Sequence, residues 1–241
     1  MRAIKRFFTF LLLIIIAAAA IIIYMGYNKY TDALKEKSLT TAVEEIRSID
    51  NYTSIDEVPE MYVNAVIATE DRRFKYHNGF DIIGTGRAIL TDIKERKLVE
   101  GGSTITQQLA KNMYFPMDNS PTRKIAEIFM AFKIEQEYDK DKIFELYMNT
   151  IYFGSGYYNI FDASMGYFGK YPSEMNDYEA TMLAGVPNAP SLYSPKVNLN
   201  LAHKRQEKVI DCLLDCNYIE QEQADEILSK IQAEEGNVHE N

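Results

Sequence analysis

The sequence has no tryptophan, only three histidines and only two cysteines among its 241 residues. Two cysteines are too few for the disulfide framework of a small secreted scaffold. Cys212 and Cys216 are spaced like neighbours on one helix face with no histidine close by, so we interpret them as packed thiols rather than zinc ligands. Lysine and arginine number 26 against 35 acidic residues, and the net charge of -9 argues against a nucleic-acid partner.

Strand-like alternation of apolar and polar residues is also scarce, and the sequence contains no internal repeat. Helical spacing is common instead, as in the i, i+3, i+4, i+7 pattern of Ile125, Ile128, Phe129 and Phe132. Hydrophobic residues make up 46% and charged residues 25%, a mix that excludes wholesale disorder. We therefore predict a mainly α fold.

One long stretch near the N-terminus has no charge at all. As an α-helix, residues 7–25 would span about 28 Å, which matches the core of a bilayer. The cations Arg2, Lys5 and Arg6 precede it, so the positive-inside rule predicts a single-pass cell-membrane protein with a cytoplasmic N-terminus and an extracytoplasmic domain. The alternative is a cleaved signal peptide, because Ala17–Ala20 resemble a cleavage site.

These patterns divide the chain into five parts. We predict a cytoplasmic tail (1–6), a transmembrane helix (7–25), a polar stalk (26–50), a folded domain (51–218) and an acidic C-terminal tail (219–241). The tail is expected to be a solvated helix with a frayed end.

Glu70 is the first candidate for chemistry. It follows Val66 and Ile67 at helical spacing, so its carboxylate is expected on the apolar face of a helix. A partly desolvated carboxylate can exchange a proton near neutral pH as a general base. The alternative is an ion pair with Arg72 or Arg73 at the helix end.

A second group of residues suits an anion. Thr104 and Gln107 match the spacing of a capping box, and a helix N-terminus beside fixed cations binds phosphate oxygens. The neutral hydrogen-bonding groups belong to Ser103, Thr104, Gln107 and Gln108, and the cations are Lys111, Arg123 and Lys124. The alternative is a plain capped helix.

Two further polar residues have open interpretations. Glu127 lies four residues after Arg123 and three after Lys124, which indicates either a surface ion pair or a carboxylate beside a cationic site. His77 is the one histidine of the central region, and we predict that it orients Asp71 or the loop after it.

A family resemblance rests on five segments that occur in order: EDRRFKYHNGFD (70–81), GGSTITQQLAKN (101–112), RKIAE (123–127), KIFELYMNTIYFGSGYYNI (142–160) and EATMLAGVPNAPSLYSP (179–195). Together they resemble the peptidoglycan glycosyltransferases, the murein polymerases, which share a lysozyme-like helical fold. No S-x-x-K motif of a transpeptidase occurs, so the chain resembles the monofunctional membrane-anchored type.

The resemblance implies roles for individual residues. Glu70 matches the base that takes the proton from the acceptor 4-hydroxyl, and Glu127 matches a second glutamate that assists near the diphosphate, with a divalent metal (Mg or Mn) as the expected cofactor and no organic cofactor. Lys111 and Arg123 match residues around the donor diphosphate. The full substrate-binding set is Asp71, Phe74, His77, Ser103, Thr104, Gln107, Gln108, Lys111, Arg123 and Lys124.

The implied function is glycan polymerisation from lipid II, with the growing strand as donor, undecaprenyl diphosphate as leaving group and a β-1,4 linkage as product. The alternatives are a lytic enzyme that cleaves glycan and a non-catalytic scaffold for wall assembly. The expected partners are lipid II, the glycan strand, the membrane and the cell-wall synthesis machinery.

Two departures from the family pattern are notable. Asn119 replaces a common arginine, which puts one phosphate contact in doubt, and Asn159 replaces a glycine at a turn that we expect to survive because asparagine tolerates positive φ. The segment between Asn78 and Glu100 is expected to be mobile. Its apolar residues either enter the membrane interface or pack inside, and they are Ile82, Ile83, Ile89 and Leu90.

Overall fold

A computed structural model describes the backbone of residues 2–95, 102–116, 118 and 120–239. Twelve α-helices run through the described part: α1 (Arg2–Glu36), α2 (Leu39–Arg47), α3 (Glu60–Glu70), α4 (Ile82–Glu95), α5 (Ile105–Tyr114), α6 (Pro121–Glu137), α7 (Lys140–Met148), α8 (Ile160–Phe168), α9 (Asp177–Gly185), α10 (Pro190–Tyr193), α11 (Leu199–Asp215) and α12 (Gln221–His239). The same residues contain no strand, so the prediction of a mainly α fold is confirmed.

Two helices, α5 and α6, begin at the capping residues that the sequence predicts. Thr104 accepts a hydrogen bond from the Gln107 backbone at 3.1 Å, and the Gln107 side chain accepts one from the Thr104 backbone at 3.2 Å. This reciprocal pair satisfies two backbone donors that a helix N-terminus leaves without partners. Ser120 occupies the cap position of α6, with Pro121 as its first helical residue.

The apolar N-terminal run forms part of a single long helix. Judged by length and composition alone, the helical segment 4–36 is long enough and apolar enough to cross a membrane. The large side chains of the apolar run are exposed to the surroundings rather than packed in the domain.

The segment predicted as a stalk packs against the domain instead of standing apart from it. Gly26 lies so close to α6 that a Cβ atom there would come within 2.4 Å of Ile125 Cβ. The rings of Tyr27 and Tyr30 lie 5.2 and 5.9 Å from Phe129 of α6. Their apolar area is removed from water by this contact, which explains why α1 continues past the apolar run. The buried residues of α2 are Leu39, Ala42 and Val43.

The acidic C-terminal segment also differs from the solvated helix that we expected. Ala224, Ile227 and Ile231 are buried at helical spacing, and α12 packs on α9 and α11. This apolar face was not apparent from composition, because α12 is rich in acidic residues. The face is narrow because α12 packs on the domain from one side only.

Asn159 has a different role from the one expected. Its φ of -151° is extended rather than positive, and its side-chain oxygen accepts a hydrogen bond from the Asp162 backbone at 2.7 Å. Asn159 therefore caps α8, for which asparagine is well suited. The departure at Asn119, residues 96–101 and the side chains of Ile89 and Leu90 lie outside the described residues.

Candidate active site

A groove of about 800 Å³ opens between the ends of α3 and α4 on one side and α11 on the other. The loop at Gly102–Thr104, which leads into α5, forms a third wall. Its charged lining residues are Glu70, Asp71, Arg72, Asp81, Arg87, Lys204, Arg205, Lys208, Asp211 and Asp215. Titratable groups converge on this groove, as expected of an active site.

Glu70 lies at the C-terminal end of α3 and lines the groove. Its side chain is only 11% exposed. Oε2 accepts a hydrogen bond of 2.9 Å from Gln108 Nε2, whereas Oε1 is buried without a hydrogen-bond partner and lies 3.6 Å from Arg205 Nη2. The alternative ion pairs with Arg72 and Arg73 do not form, because those side chains pair with Asp215 and Asp81. One carboxylate oxygen is therefore anchored and the other keeps free lone pairs.

Two buried tyrosines adjoin Glu70. Burial raises the pKa of Tyr147 well above its ordinary value, and the negative charge of Glu70 adds to the effect. Burial, followed by the Glu70 charge, also raises the pKa of Tyr62. Both side chains therefore stay neutral, and Tyr147 donates a long hydrogen bond of 3.5 Å to Gln108 Oε1. This contact favours the amide orientation that presents Nε2 to Glu70.

Asp71 joins the first motif to the start of α5. Its carboxylate accepts a hydrogen bond from the Ile105 backbone at 3.0 Å, and both of its oxygens lie 2.9 Å from His77 Nε2. Asp71 and His77 are buried, and Phe74 lies in the core beside the Phe144 ring. The three residues thus hold the framework of the site together, and of them Asp71 also lines the groove.

Glu127 lies in a buried ion-pair cluster rather than in a surface pair. Its side chain is 3% exposed, with Arg123 Nη1 at 3.2 Å from Oε1 and Lys124 Nζ at 3.1 Å from Oε2. Lys124 also donates to Ser103 Oγ at 2.7 Å and to Gln107 Oε1 at 3.2 Å. The surface interpretation of Glu127 is therefore wrong, because helical spacing does not reveal that α5 covers this flank of α6.

Positive charge accumulates in this cluster. Burial lowers the pKa of Lys124, Glu127 opposes that effect, and the neighbouring charges of Arg123 and Lys111 lower it further. Lys111 is exposed, and its ammonium forms no ion pair with any residue in the described part of the chain. A ligand anion would relieve the repulsion among these cations.

The surroundings of Glu127 do not fit a resident divalent metal. Among the described residues, no group of three or more histidine, cysteine, aspartate or glutamate side chains could hold a metal ion. Glu127 is a single carboxylate, and its two cationic neighbours repel a second positive ion. The divalent metal remains a prediction, and the structure offers no ligand set for it at this position.

The cations of α11 were missed by the motif analysis. Lys204, Arg205 and Lys208 line the groove, although α11 follows the last recognised motif. Their spacing at i, i+1 and i+4 places them on one flank of a helix, and this is the signal that could have found them.

Comparison with known proteins decides the family. A transglycosylase family model matches residues 36–213. The chain belongs to this family, that of the peptidoglycan glycosyltransferases. The resemblance drawn from the five motifs and the lysozyme-like helical fold are both confirmed.

The relatives that this chain matches are longer proteins. Penicillin-binding protein 1A of Aquifex aeolicus is 44% identical over 74% of this chain and 25% of its own length. Penicillin-binding protein 1A of Neisseria lactamica is 44% identical over 74% of this chain and 22% of its own length. A crystal structure of penicillin-binding protein 1A from Haemophilus influenzae has 31% identity and a TM-score of 0.35 over 52% of this chain and 15% of that chain. The chain thus spans about a quarter of the curated relatives that it matches.

Proposed function

We propose that this chain polymerises peptidoglycan glycan strands from lipid II. In a single inverting displacement, the acceptor 4-hydroxyl attacks the anomeric carbon of the growing strand. The bond from that carbon to the diphosphate oxygen breaks, undecaprenyl diphosphate leaves and a β-1,4 linkage forms. Such a reaction needs a proton acceptor at the attacking hydroxyl and positive charge at the leaving group.

The first turn of α5 supports this proposal, because two consecutive side chains there contact the two parts of the site. Gln108 donates to Glu70 at 2.9 Å, and Gln107 accepts from Lys124 at 3.2 Å. A general base and the cation Lys124, which belongs to the Glu127 cluster, therefore contact the same helix end. A glycosyl transfer with a diphosphate leaving group requires both kinds of group. Hydrolysis of a neutral sugar linkage does not require the cations.

Glu70 is the proposed base. Its Oε1 has no hydrogen-bond partner, so a lone pair is available for the proton of the acceptor hydroxyl. The hydrogen bond from Gln108 fixes the other oxygen, which limits rotation of the carboxylate. A well-placed general base contributes about 10²–10⁴-fold to the rate.

Arg123, Lys124 and Lys111 are the proposed partners of the departing diphosphate. Charge-assisted hydrogen bonds to phosphate oxygens are about twice as strong as neutral ones, and they strengthen as the leaving group gains charge. Glu127 holds Arg123 and Lys124 in place through its two ion pairs. In this proposal Glu127 assists the leaving group through these cations.

Membrane attachment gives the substrate a path to the site. We propose that α1 spans the membrane with its N-terminus in the cytoplasm, and that α4 contacts the outer interface. Ile82 and Ile83 are 75% and 61% exposed, so these two side chains do not pack inside. Exposed isoleucines at a helix start suit the boundary between headgroups and acyl chains. Contacts with other cell-wall synthesis proteins remain a prediction.

A polymerisation assay tests the function. The purified full chain, in vesicles that contain lipid II, is incubated with Mg²⁺, with Mn²⁺ or with a chelator, and the products are separated on a gel. We expect polymer from the wild-type chain and none above background from Glu70→Gln. A matched control is Glu60→Gln, which changes an exposed carboxylate at the opposite end of α3.

The other outcomes identify the alternatives. Shortening of a preformed glycan strand would indicate a lytic enzyme, and no turnover of either substrate would indicate a scaffold. Loss of polymer in the chelator arm, restored by added Mg²⁺ or Mn²⁺, would support the predicted metal requirement.

A further inference from the structure

Arg205 of α11 is held beside Glu70 by contacts that do not involve the carboxylate. Its Nε donates a hydrogen bond of 3.4 Å to the Gly185 carbonyl at the end of α9. Its guanidinium lies 5.9 Å from the centre of the Tyr193 ring, within reach of a cation–π contact. A Cβ atom at Gly185 would come within 3.0 Å of Arg205 Cγ, so the absence of a side chain there makes room for the arginine.

The guanidinium of Arg205 lies close enough to Glu70 for an ion pair but too far away for a hydrogen bond. Nη2 lies 3.6 Å from Oε1, which is within ion-pair range but beyond a hydrogen bond, and Oε1 has no other partner. A closer bidentate pair would occupy the lone pairs that a base needs. At this distance Arg205 supplies positive charge and leaves the oxygen free to accept a proton.

The other groups around Glu70 do not supply that charge. On its own helix, Tyr62 is buried and neutral, and Asp71 at the helix end adds negative charge. From α7 comes the neutral Tyr147, and from α5 the uncharged amide of Gln108. The ion pair that Glu70 forms within the described residues is with Arg205. The remaining cations that line the groove are Arg72, Arg87, Lys204 and Lys208.

We infer that Arg205 is a positioning residue for the reaction: its charge holds the Glu70 carboxylate in the orientation seen in the structure while leaving Oε1 without a hydrogen bond, so that this oxygen can accept the proton of the acceptor hydroxyl. This inference rests on the proposed function, because it assigns Arg205 to the base of that reaction. An opposite charge at ion-pair distance attracts a carboxylate oxygen without occupying its lone pairs. Removal of Arg205 should therefore let the Glu70 carboxylate turn away from the acceptor hydroxyl, which lowers kcat more than it raises KM.

The test separates kcat from KM for lipid II polymerisation, measured with the full chain. We expect Arg205→Met to lower kcat by about 10- to 100-fold with little change in KM. Arg205→Lys, which keeps the charge, should restore most of kcat. Lys196→Met removes an exposed cation that bonds to Tyr157 outside the groove, and it should leave both constants unchanged.

Thermal melting of every variant separates positioning from folding. An unchanged kcat in Arg205→Met, or a loss of kcat that Arg205→Lys does not reverse, would overturn the inference even when the wild-type chain polymerises lipid II and Glu70→Gln does not. If Glu70→Gln keeps the wild-type rate, the proposed role of Glu70 itself fails. The two failures are thus distinguishable in one set of proteins.

Discussion

Glu70 and Glu127 are both carboxylates with little exposure, yet their surroundings differ. Glu127 is clamped between Arg123 and Lys124 at 3.2 and 3.1 Å. Glu70 has a single, more distant cation at 3.6 Å and one hydrogen bond from an amide, and Oε1 of each carboxylate lacks a hydrogen-bond partner. A carboxylate between two close cations holds those neighbours in place, whereas a carboxylate that lines the groove with only one distant cation can take part in proton transfer.

The comparison teaches that burial alone does not identify a catalytic carboxylate. The number and distance of its partners decide whether removal should affect mainly the reaction or mainly the stability of the fold. We therefore expect Glu70 variants to lose activity with little loss of stability, and Glu127 variants to lose both.

The largest expected effect is on the reaction. Glu70→Gln should lower kcat by about 10²–10⁴-fold, because the amide cannot accept the proton of the acceptor hydroxyl. The melting temperature should stay within a few degrees of wild type, since the isosteric amide keeps the contact with Gln108. Kinetics and calorimetry on the same preparation test both statements, and a large drop in melting temperature would contradict the comparison.

Glu127→Gln should lower the free energy of unfolding by about 2 kcal/mol, because it leaves Arg123 and Lys124 without their counter-charge. The cost is below that of breaking a fully buried pair, since the side chains of these cations are 24% and 41% exposed. Denaturant unfolding measures it. The matched control is Glu137→Gln on the same helix, whose pair with Lys133 is 35% exposed on both sides and should contribute less than about 0.5 kcal/mol.

Asp71→Asn probes the link between the two carboxylates, since Asp71 ties the end of α3 to the start of α5. The variant loses the charge that faces His77 and weakens the hydrogen bond from Ile105. We expect the free energy of unfolding to fall by about 1–2 kcal/mol. Asp211→Asn, in an exposed pair with Lys208, serves as the stability control, and an equal effect of both substitutions would contradict the anchoring role.

The smallest effect on the fold is expected for Lys111→Ala. Lys111 is exposed and forms no ion pair with a described residue, so the melting temperature should not change. The KM for the donor should rise about tenfold, the loss of roughly one charge-assisted phosphate contact. Lys230→Ala, an exposed cation of α12, is the control. A collapse of the melting temperature with intact activity per folded molecule would refute the phosphate role.

Local chemistry made part of this structure predictable. The capping box of Thr104 and Gln107, the Ser120-Pro121 start of α6 and the apolar face that carries Glu70 all depend on residues within one or two helical turns. The packing of residues 26–47 and of α12 was not predictable from composition, because a polar segment needs only one narrow apolar stripe to join a core.

The sequence by itself determined the helical class, the long apolar helix, the family motifs and the identity of the residues around the site. Their patterns depend on helical periodicity and on side-chain chemistry, which are local properties. Only the tertiary structure decided that Arg205 meets Glu70 across 135 residues of chain, that Glu127 is buried, and that Gln107 and Gln108 contact the two parts of the site. Such contacts follow from how helices pack over one another, and no spacing along the chain encodes them directly.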